Sequence, residues 1–201
     1  SFIVIYNLKI TDTRIDIFNE ILEINYISYI FTLFCVLILI NGSNFVDGLN
    51  GLLIGYLAIV LFVIFKFSKT ENLFIFYENF NLFFLCLLFL LIMNFFNQFF
   101  LGDGGSYSVG FFLAVLLIDI YTNNINNISP YFIILLLWYP CFENLFSIIR
   151  KSKRNFSPTE PDNDHLHHLL FHYLVRKLNF NKKIYANNTS SVIINIYNLI
   201  I

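Results

Sequence analysis

Three stretches carry residues able to do chemistry. Phe99–Ser106 reads FFLGDGGS and sets a single carboxylate, Asp103, between Gly102 and the Gly104-Gly105 pair. Apolar runs flank it, Asn81–Phe96 before and Tyr107–Ile120 after. A charge beside membrane-length apolar sequence is expensive to keep, which marks it as a functional candidate. Glycines let the backbone approach a ligand closely, and Gly-rich backbone opening into a helix presents N–H groups suited to phosphate. The same stretch also reads as a turn between two membrane helices, with Asp103 as a turn or cap residue. Asn41–Gly51 reads NGSNFVDGLNG, just after one apolar run and just before another. Asn41, Asn44 and Asp47 recur every three residues, and on a helix they line one face. They would offer amide donors and acceptors together with a carboxylate to one polar ligand. A Gly/Asn turn with Asp47 as a helix cap is the plainer alternative. Ser157–His172 reads SPTEPDNDHLHHLLFH and holds all four histidines of the chain. Helical spacing puts His165, His168 and His172 on one face and points His167 elsewhere. Zinc is one ligand for such a cluster, although no cysteine joins it and adjacent histidines leave the ligand set undefined. Imidazoles with nearby cations also suit diphosphate recognition.

The elements that must position these residues are membrane helices. Of 201 residues, 58% are hydrophobic and 12% charged, with a mean hydropathy of +0.71. Soluble domains carry about 25% charged residues, so the chain reads as a polytopic membrane protein with an all-α fold. The net charge of −1 gives no basis for nucleic-acid binding. Phe is abundant at 26 residues, which reflects composition rather than function. Cys35, Cys86 and Cys141 lie in or beside apolar runs without metal or redox spacing and read as small buried residues.

A spanning helix needs ~20 apolar residues. Tyr26–Ile40, Leu52–Phe67, Asn81–Phe96, Tyr107–Tyr121 and Pro130–Ile149 approach this, with polar flanks completing the helices. The chain reads as one integral-membrane domain, residues 1–201, cut from a longer protein at both ends. Residues 1–25 form an extracytoplasmic or interfacial segment, 26–149 five transmembrane helices, 150–180 a basic and histidine-rich loop, and 190–201 the start of a further helix. Alternating helix direction puts Asn41–Gly51, Phe99–Ser106 and Arg150–His172 on one side. The bland connections Ser68–Asn79 and Thr122–Ser129 fall on the other. Arg150, Lys151, Lys153 and Arg154 mark the chemical side as cytoplasmic by the excess of basic residues.

Taken together, NGSNFVDGLNGL at Asn41–Leu52, FLGDGGS at Phe100–Ser106 and SPTEPDNDHLHHL at Ser157–Leu169 resemble three successive signatures of one family. It is that of the polyprenyl-phosphate N-acetylhexosamine-1-phosphate transferases, glycosyl transferase family 4, which includes the undecaprenyl-phosphate GlcNAc-1-phosphate transferases. Order, spacing and the intervening apolar helices agree from about Thr32 to Phe171. The HLHH form resembles the O-antigen, teichoic-acid and enterobacterial-antigen branch; the peptidoglycan branch usually has three consecutive histidines.

The resemblance implies transfer of a sugar-1-phosphate from a UDP-HexNAc donor to polyprenyl phosphate, with release of UMP. It implies Mg²⁺, with Mn²⁺ as an alternative, and a bacterial cytoplasmic membrane with the active-site loops facing the cytoplasm. The lipid bilayer is then a partner, and a homodimer is compatible with the family. By the same resemblance Asp103 matches the metal-binding aspartate, in keeping with the one or two carboxylates that Mg²⁺ takes. Asp47 and His165, His167 and His168 join it as catalytic positions. Asn41, Asn44, Asp47, Asn50, Gly104, Ser106, Arg154 and the same three histidines are the substrate-binding positions.

Three departures stand out. The Asp-Asp pair that family members carry before the first signature is absent, since Asp12, Asp16, Glu20 and Glu23 are scattered and fall on the opposite side. The chain alone is therefore expected to be inactive. Asn50 replaces a frequent Asp, and Glu143 stands where Asp is frequent in Pro-x-x-Asp. Two other readings compete with the enzyme. One is an ion-coupled transporter with Asp47, Asp103 and Glu143 along its path, which Glu143 alone fits by its depth in a helix. The other is a non-catalytic scaffold of the same fold.

Overall fold

A computed structural model describes residues 2–70, 80–154, 164–177 and 183–200. Among the described residues every regular element is helical. In chain order they are α1 (Phe2–Ile5), α2 (Asp16–Leu22), α3 (Asn25–Val46), α4 (Leu52–Thr70), α5 (Phe80–Phe95), α6 (Gly102–Asn123), α7 (Pro130–Leu136), α8 (Trp138–Arg154), α9 (Leu166–Lys177) and α10 (Lys183–Ile200).

All five apolar runs fold as helices, but they do not all make straight, full-length spans. Among the described residues α3 and α6 are each long and apolar enough to cross a membrane. The apolar stretches of α4 and α5, Leu52–Phe67 and Asn81–Phe95, are shorter. The run expected as one helix over residues 130–149 is broken into α7 and α8, which meet at 73°. Pro140 explains the break. Proline has no N–H to return to the carbonyl four residues earlier, and its ring crowds that carbonyl. The carbonyl concerned belongs to Leu136, and the Tyr56 hydroxyl donates to it instead. Ser129 caps α7, accepting from the Tyr131 N–H at 3.3 Å with Pro130 in the first turn. The last helix begins at Lys183, earlier than residue 190, and runs to Ile200.

The central helix is α3. Val36, Leu39, Gly42, Ser43 and Val46 of α3 are buried, and α6 and α8 pack along it. Both contacts depend on missing side chains. A Cβ on Gly110 of α6 would lie 2.8 Å from the Ile40 Cα and 2.9 Å from the Leu39 carbonyl oxygen. A Cβ on Gly42 would lie 2.4 Å from the Pro140 carbonyl oxygen. Close backbone approach through small residues is a common way for helices to associate where water offers no driving force. Leu113, Ala114 and Leu117 of α6, Tyr139 of α8 and Leu52, Leu53, Tyr56 and Leu57 of α4 complete the core.

The N-terminal segment seals the end of the bundle away from the site. The Ile10 N–H donates to Thr32 Oγ1 at 2.9 Å, and Ser28 Oγ donates to the Ile10 carbonyl at 2.8 Å. Tyr121 Oη donates to the Asp12 carbonyl at 2.7 Å, and an Arg14 guanidinium N–H to the Ile125 carbonyl at 3.0 Å. Residues 10–14 thus lie beside residues 121–125, at the end of α6 opposite Asp103. Helix parity requires this.

Candidate functional site

Residues 41–51 and 99–106 meet at the other end of the bundle. Asn41 and Asn44 lie in the last turns of α3 and Asp47 forms its C-cap, so the three-residue spacing does put them along one helix face. The α6 helix begins at Gly102, whose φ of +62° only glycine adopts readily, and Asp103 falls in its first turn. A carboxylate there is favoured by the helix dipole. Asn44 Nδ2 donates to Asp103 Oδ1 at 3.2 Å and to Ser106 Oγ at 3.0 Å. Ser106 Oγ in turn donates to the Asp103 carbonyl at 3.1 Å. Ser106 is fully buried, so it holds Asn44 and Asp103 in register. Gly104 faces open space, with nothing within 4 Å of where a Cβ would stand.

The histidines close over the turn after α3, in an arrangement that helical spacing alone does not give. His165 precedes α9, while His167 and His168 lie in its first turn. The His165 and His167 rings stack at 5.5 Å and 4°, and His168 sits 4.3 Å from His167 between ring centroids. His172 shares the α9 face of His168 as the spacing predicts, and it is exposed one turn further along. His167, expected to point elsewhere, is 0% exposed. Its Nδ1 is 3.3 Å from Tyr139 Oη, and its Nε2 has no hydrogen-bond partner among the described residues. A Cβ on Gly48 would lie 2.3 Å from that Nε2, so the first and third motifs touch here. Phe45 stacks on His165 at 5.1 Å.

Glu143 is the site residue that the motifs did not supply. It is 2% exposed, and His165, at 3%, lies against it. Glu143 Oε2 is 2.7 Å from His165 Nδ1, and Oε1 accepts from the Leu166 N–H at 2.9 Å. One carboxylate therefore holds both the first histidine and the first backbone N–H of α9. The signal was a charge inside an apolar run. With both oxygens engaged at the histidines, Glu143 anchors a loop and does not line the ion path that the transporter reading needs.

The remaining candidates are spread more widely. Asn41 is exposed. Asn50 Nδ2 donates to Asn97 Oδ1, and its backbone N–H donates to Asn187 Oδ1 at 2.8 Å. Arg154 pairs with Asp164 at 2.5 Å, both side chains being substantially exposed. Residues 155–163, including the first seven residues of the SPTEPDND run, lie outside the described residues. Among the described residues no group of three or more His, Cys, Asp or Glu side chains is arranged to hold a metal ion. Asp47 and Asp103 remain as a carboxylate pair.

Two groups at this end of the bundle titrate far from their usual range. Burial, with His168 and His165 beside it, drives His167 down to about 2. Burial, and then the charge of Asp103, push Asp47 up to about 7. The unfolded chain protonates its histidine below 6.5 while folded His167 stays neutral. Stability is thus complete above that pH and falls on acidification, by about 1.4 kcal/mol per pH unit. Asp47 acts in the opposite sense. Its folded form keeps a proton that the unfolded chain releases near 3.8, so it costs stability as pH rises toward 7, less steeply because solvent screens it. Asp47→Asn removes the opposing slope. In detergent micelles its Tm is expected to fall more steeply than that of the wild type as pH drops below 6.5, and parallel curves would refute the Asp47 shift.

With this geometry in place, similarity to known proteins is informative. The profile of glycosyl transferase family 4 matches residues 1–121. An undecaprenyl-phosphate alpha-N-acetylglucosaminyl 1-phosphate transferase of Yersinia pestis is 30% identical over 149 residues, covering 71% of this chain and 40% of the relative. The protein of that description from Escherichia coli K12 is 29% identical over 147 residues, with the same two coverages. A probable undecaprenyl-phosphate N-acetylglucosaminyl 1-phosphate transferase of Bacillus subtilis is 28% identical over 170 residues, 84% of this chain and 47% of the relative. The chain thus spans less than half the length of these curated relatives. No solved structure matches it.

Proposed function

This chain belongs to glycosyl transferase family 4, and from that premise we propose that the protein transfers an N-acetylhexosamine 1-phosphate from a UDP-sugar to a polyprenyl phosphate. The observation that carries the reading is the meeting of Asn44 with Asp103 at 3.2 Å, beside Asp47 and under the histidines. In the reaction, an oxygen of the lipid phosphate forms a bond to the sugar-bearing phosphorus. The phosphoanhydride bond to UMP breaks, and UMP leaves with the electron pair.

The two carboxylates suit a magnesium ion. They lie close enough for Asp103 to oppose ionisation of Asp47, and Mg²⁺ typically takes one or two carboxylates with phosphate oxygens and waters. Asp103 and Asp47 would hold it, and when bound it would neutralise the diphosphate. Asn44 fixes the orientation of Asp103. Asn41 and Asp47 present polar groups from the same helix face, and open Gly104 lets a ligand approach the backbone at the start of α6. His165, His167 and His168 form the wall opposite that turn, and they keep water from part of it. The basic residues Arg150, Lys151, Lys153 and Arg154 at the end of α8 support a cytoplasmic orientation for this face.

Membranes from cells expressing the intact gene, given UDP-GlcNAc and undecaprenyl phosphate, are expected to release UMP only when both substrates and Mg²⁺ are present. No UMP release, with membranes carrying the Yersinia pestis relative active in parallel, would overturn the reading.

A further inference from the structure

The turn that joins α3 to α4 is held by side chains that none of the three motifs contains. Gly51 has a φ of +75°, a conformation that strains a non-glycine residue, and a Cβ there would also meet the Phe95 ring at 2.5 Å. Asn94, 5% exposed at the end of α5, accepts from the Gly51 N–H through Oδ1 and donates from Nδ2 to the Phe99 carbonyl at 2.6 Å. One amide thus ties the first motif to the approach of the second. From α10, Asn187 Oδ1 accepts from the Asn50 N–H at 2.8 Å, and Asn195 Nδ2 donates to the Gly51 carbonyl at 3.0 Å. Gly55 makes room for that reach, since a Cβ on it would lie 2.3 Å from Asn195 Nδ2. Asn195 Oδ1 is buried without a hydrogen-bond partner among the described residues, a state that costs free energy which an apolar side chain would avoid.

We propose that Asn94, Asn187 and Asn195 are positioning residues that clamp the backbone of Asn50 and Gly51 and so hold the α3–α4 turn, with Asp47, in place for the sugar nucleotide. The role in binding rests on the function proposed above; the clamp itself does not. Asn187 is the clearest probe, because Asp at this position keeps an acceptor oxygen and Leu does not.

Hydrogen exchange on the 201-residue chain in detergent micelles tests the clamp. Asn187→Leu is expected to speed exchange across residues 47–52 by tenfold or more, to leave the α6 peptides as in the wild type, and Asn187→Asp to restore slow exchange. Unchanged exchange in the Leu variant overturns the proposal, and so does equal acceleration in α6, which would make Asn187 a general stabiliser. In membranes expressing the intact gene, Asn187→Leu is expected to raise KM for the UDP-sugar by tenfold or more, with recovery in Asn187→Asp. A fall in kcat at unchanged KM, as a smaller folded fraction would produce, overturns the positioning role. Absence of UMP release from the wild type overturns the functional reading instead, and the exchange measurement still decides the clamp.

Discussion

Asp103→Asn is expected to lower kcat for UMP release by at least ~100-fold, the scale of loss when one preorganised electrostatic group is removed from a site of charge transfer. The replacement is isosteric, and its side-chain oxygen can still accept from Asn44, so the geometry around Ser106 is expected to survive. The effect should therefore appear in kcat with little change in Tm. A second readout is independent of turnover. Asp103 is one of two causes that raise Asp47, burial being the larger. In the variant the Asp47 pKa should move down from about 7 while staying above 3.8, measurable by the carboxyl 13C shift in selectively labelled protein. Retained activity would overturn the assignment of Asp103 as the metal-holding carboxylate, and an unmoved Asp47 would show that the two carboxylates do not interact.

Glu143→Leu has the second largest expected effect, and it acts through the histidines. The carboxylate satisfies the His165 ring and the Leu166 N–H together, in surroundings nearly closed to water. Removing one partner of such a buried pair costs about 3–5 kcal/mol when the pair is charged and 1–3 kcal/mol when it is neutral. Leu leaves both donors stranded, so α9 should detach at its start and kcat fall by a factor of about 10–100. Gln keeps the side-chain length and one acceptor oxygen, and Glu143→Gln should lie between the wild type and Leu in both Tm and kcat. If Leu and Gln behave alike, hydrogen bonding at Glu143 is not what holds the histidines.

The helices were legible because apolar runs of membrane length have few alternatives, and five such runs did become helices. Parity followed from the same pattern, and it correctly put Asp12 and Arg14 at the end away from Asp103. Pro140 carried the signal for the break in the fifth run, but its consequence depended on Tyr56, eighty-four residues earlier, being there to take the freed carbonyl of Leu136. The spacing of Asn41, Asn44 and Asp47 conveyed a shared helix face because that property is local. The histidines were harder. His165 lies just before α9, whose start is fixed by Glu143 taking its first N–H, and that boundary is not written in the helical spacing. Asn94, Asn187 and Asn195 gave no signal at all. In a sequence where asparagine fills most loops, only the backbone groups they meet set them apart, and those come from another part of the chain.

Gly42 and Gly110 have a mechanical consequence. They press α8 and α6 against the same length of α3 with no space for a methyl group at either contact. Three helices therefore share one fulcrum, and a hinge there would have to drive backbone into backbone. The two contacts tie together the helices that carry Asp103 and Glu143 and the one that ends at Asp47.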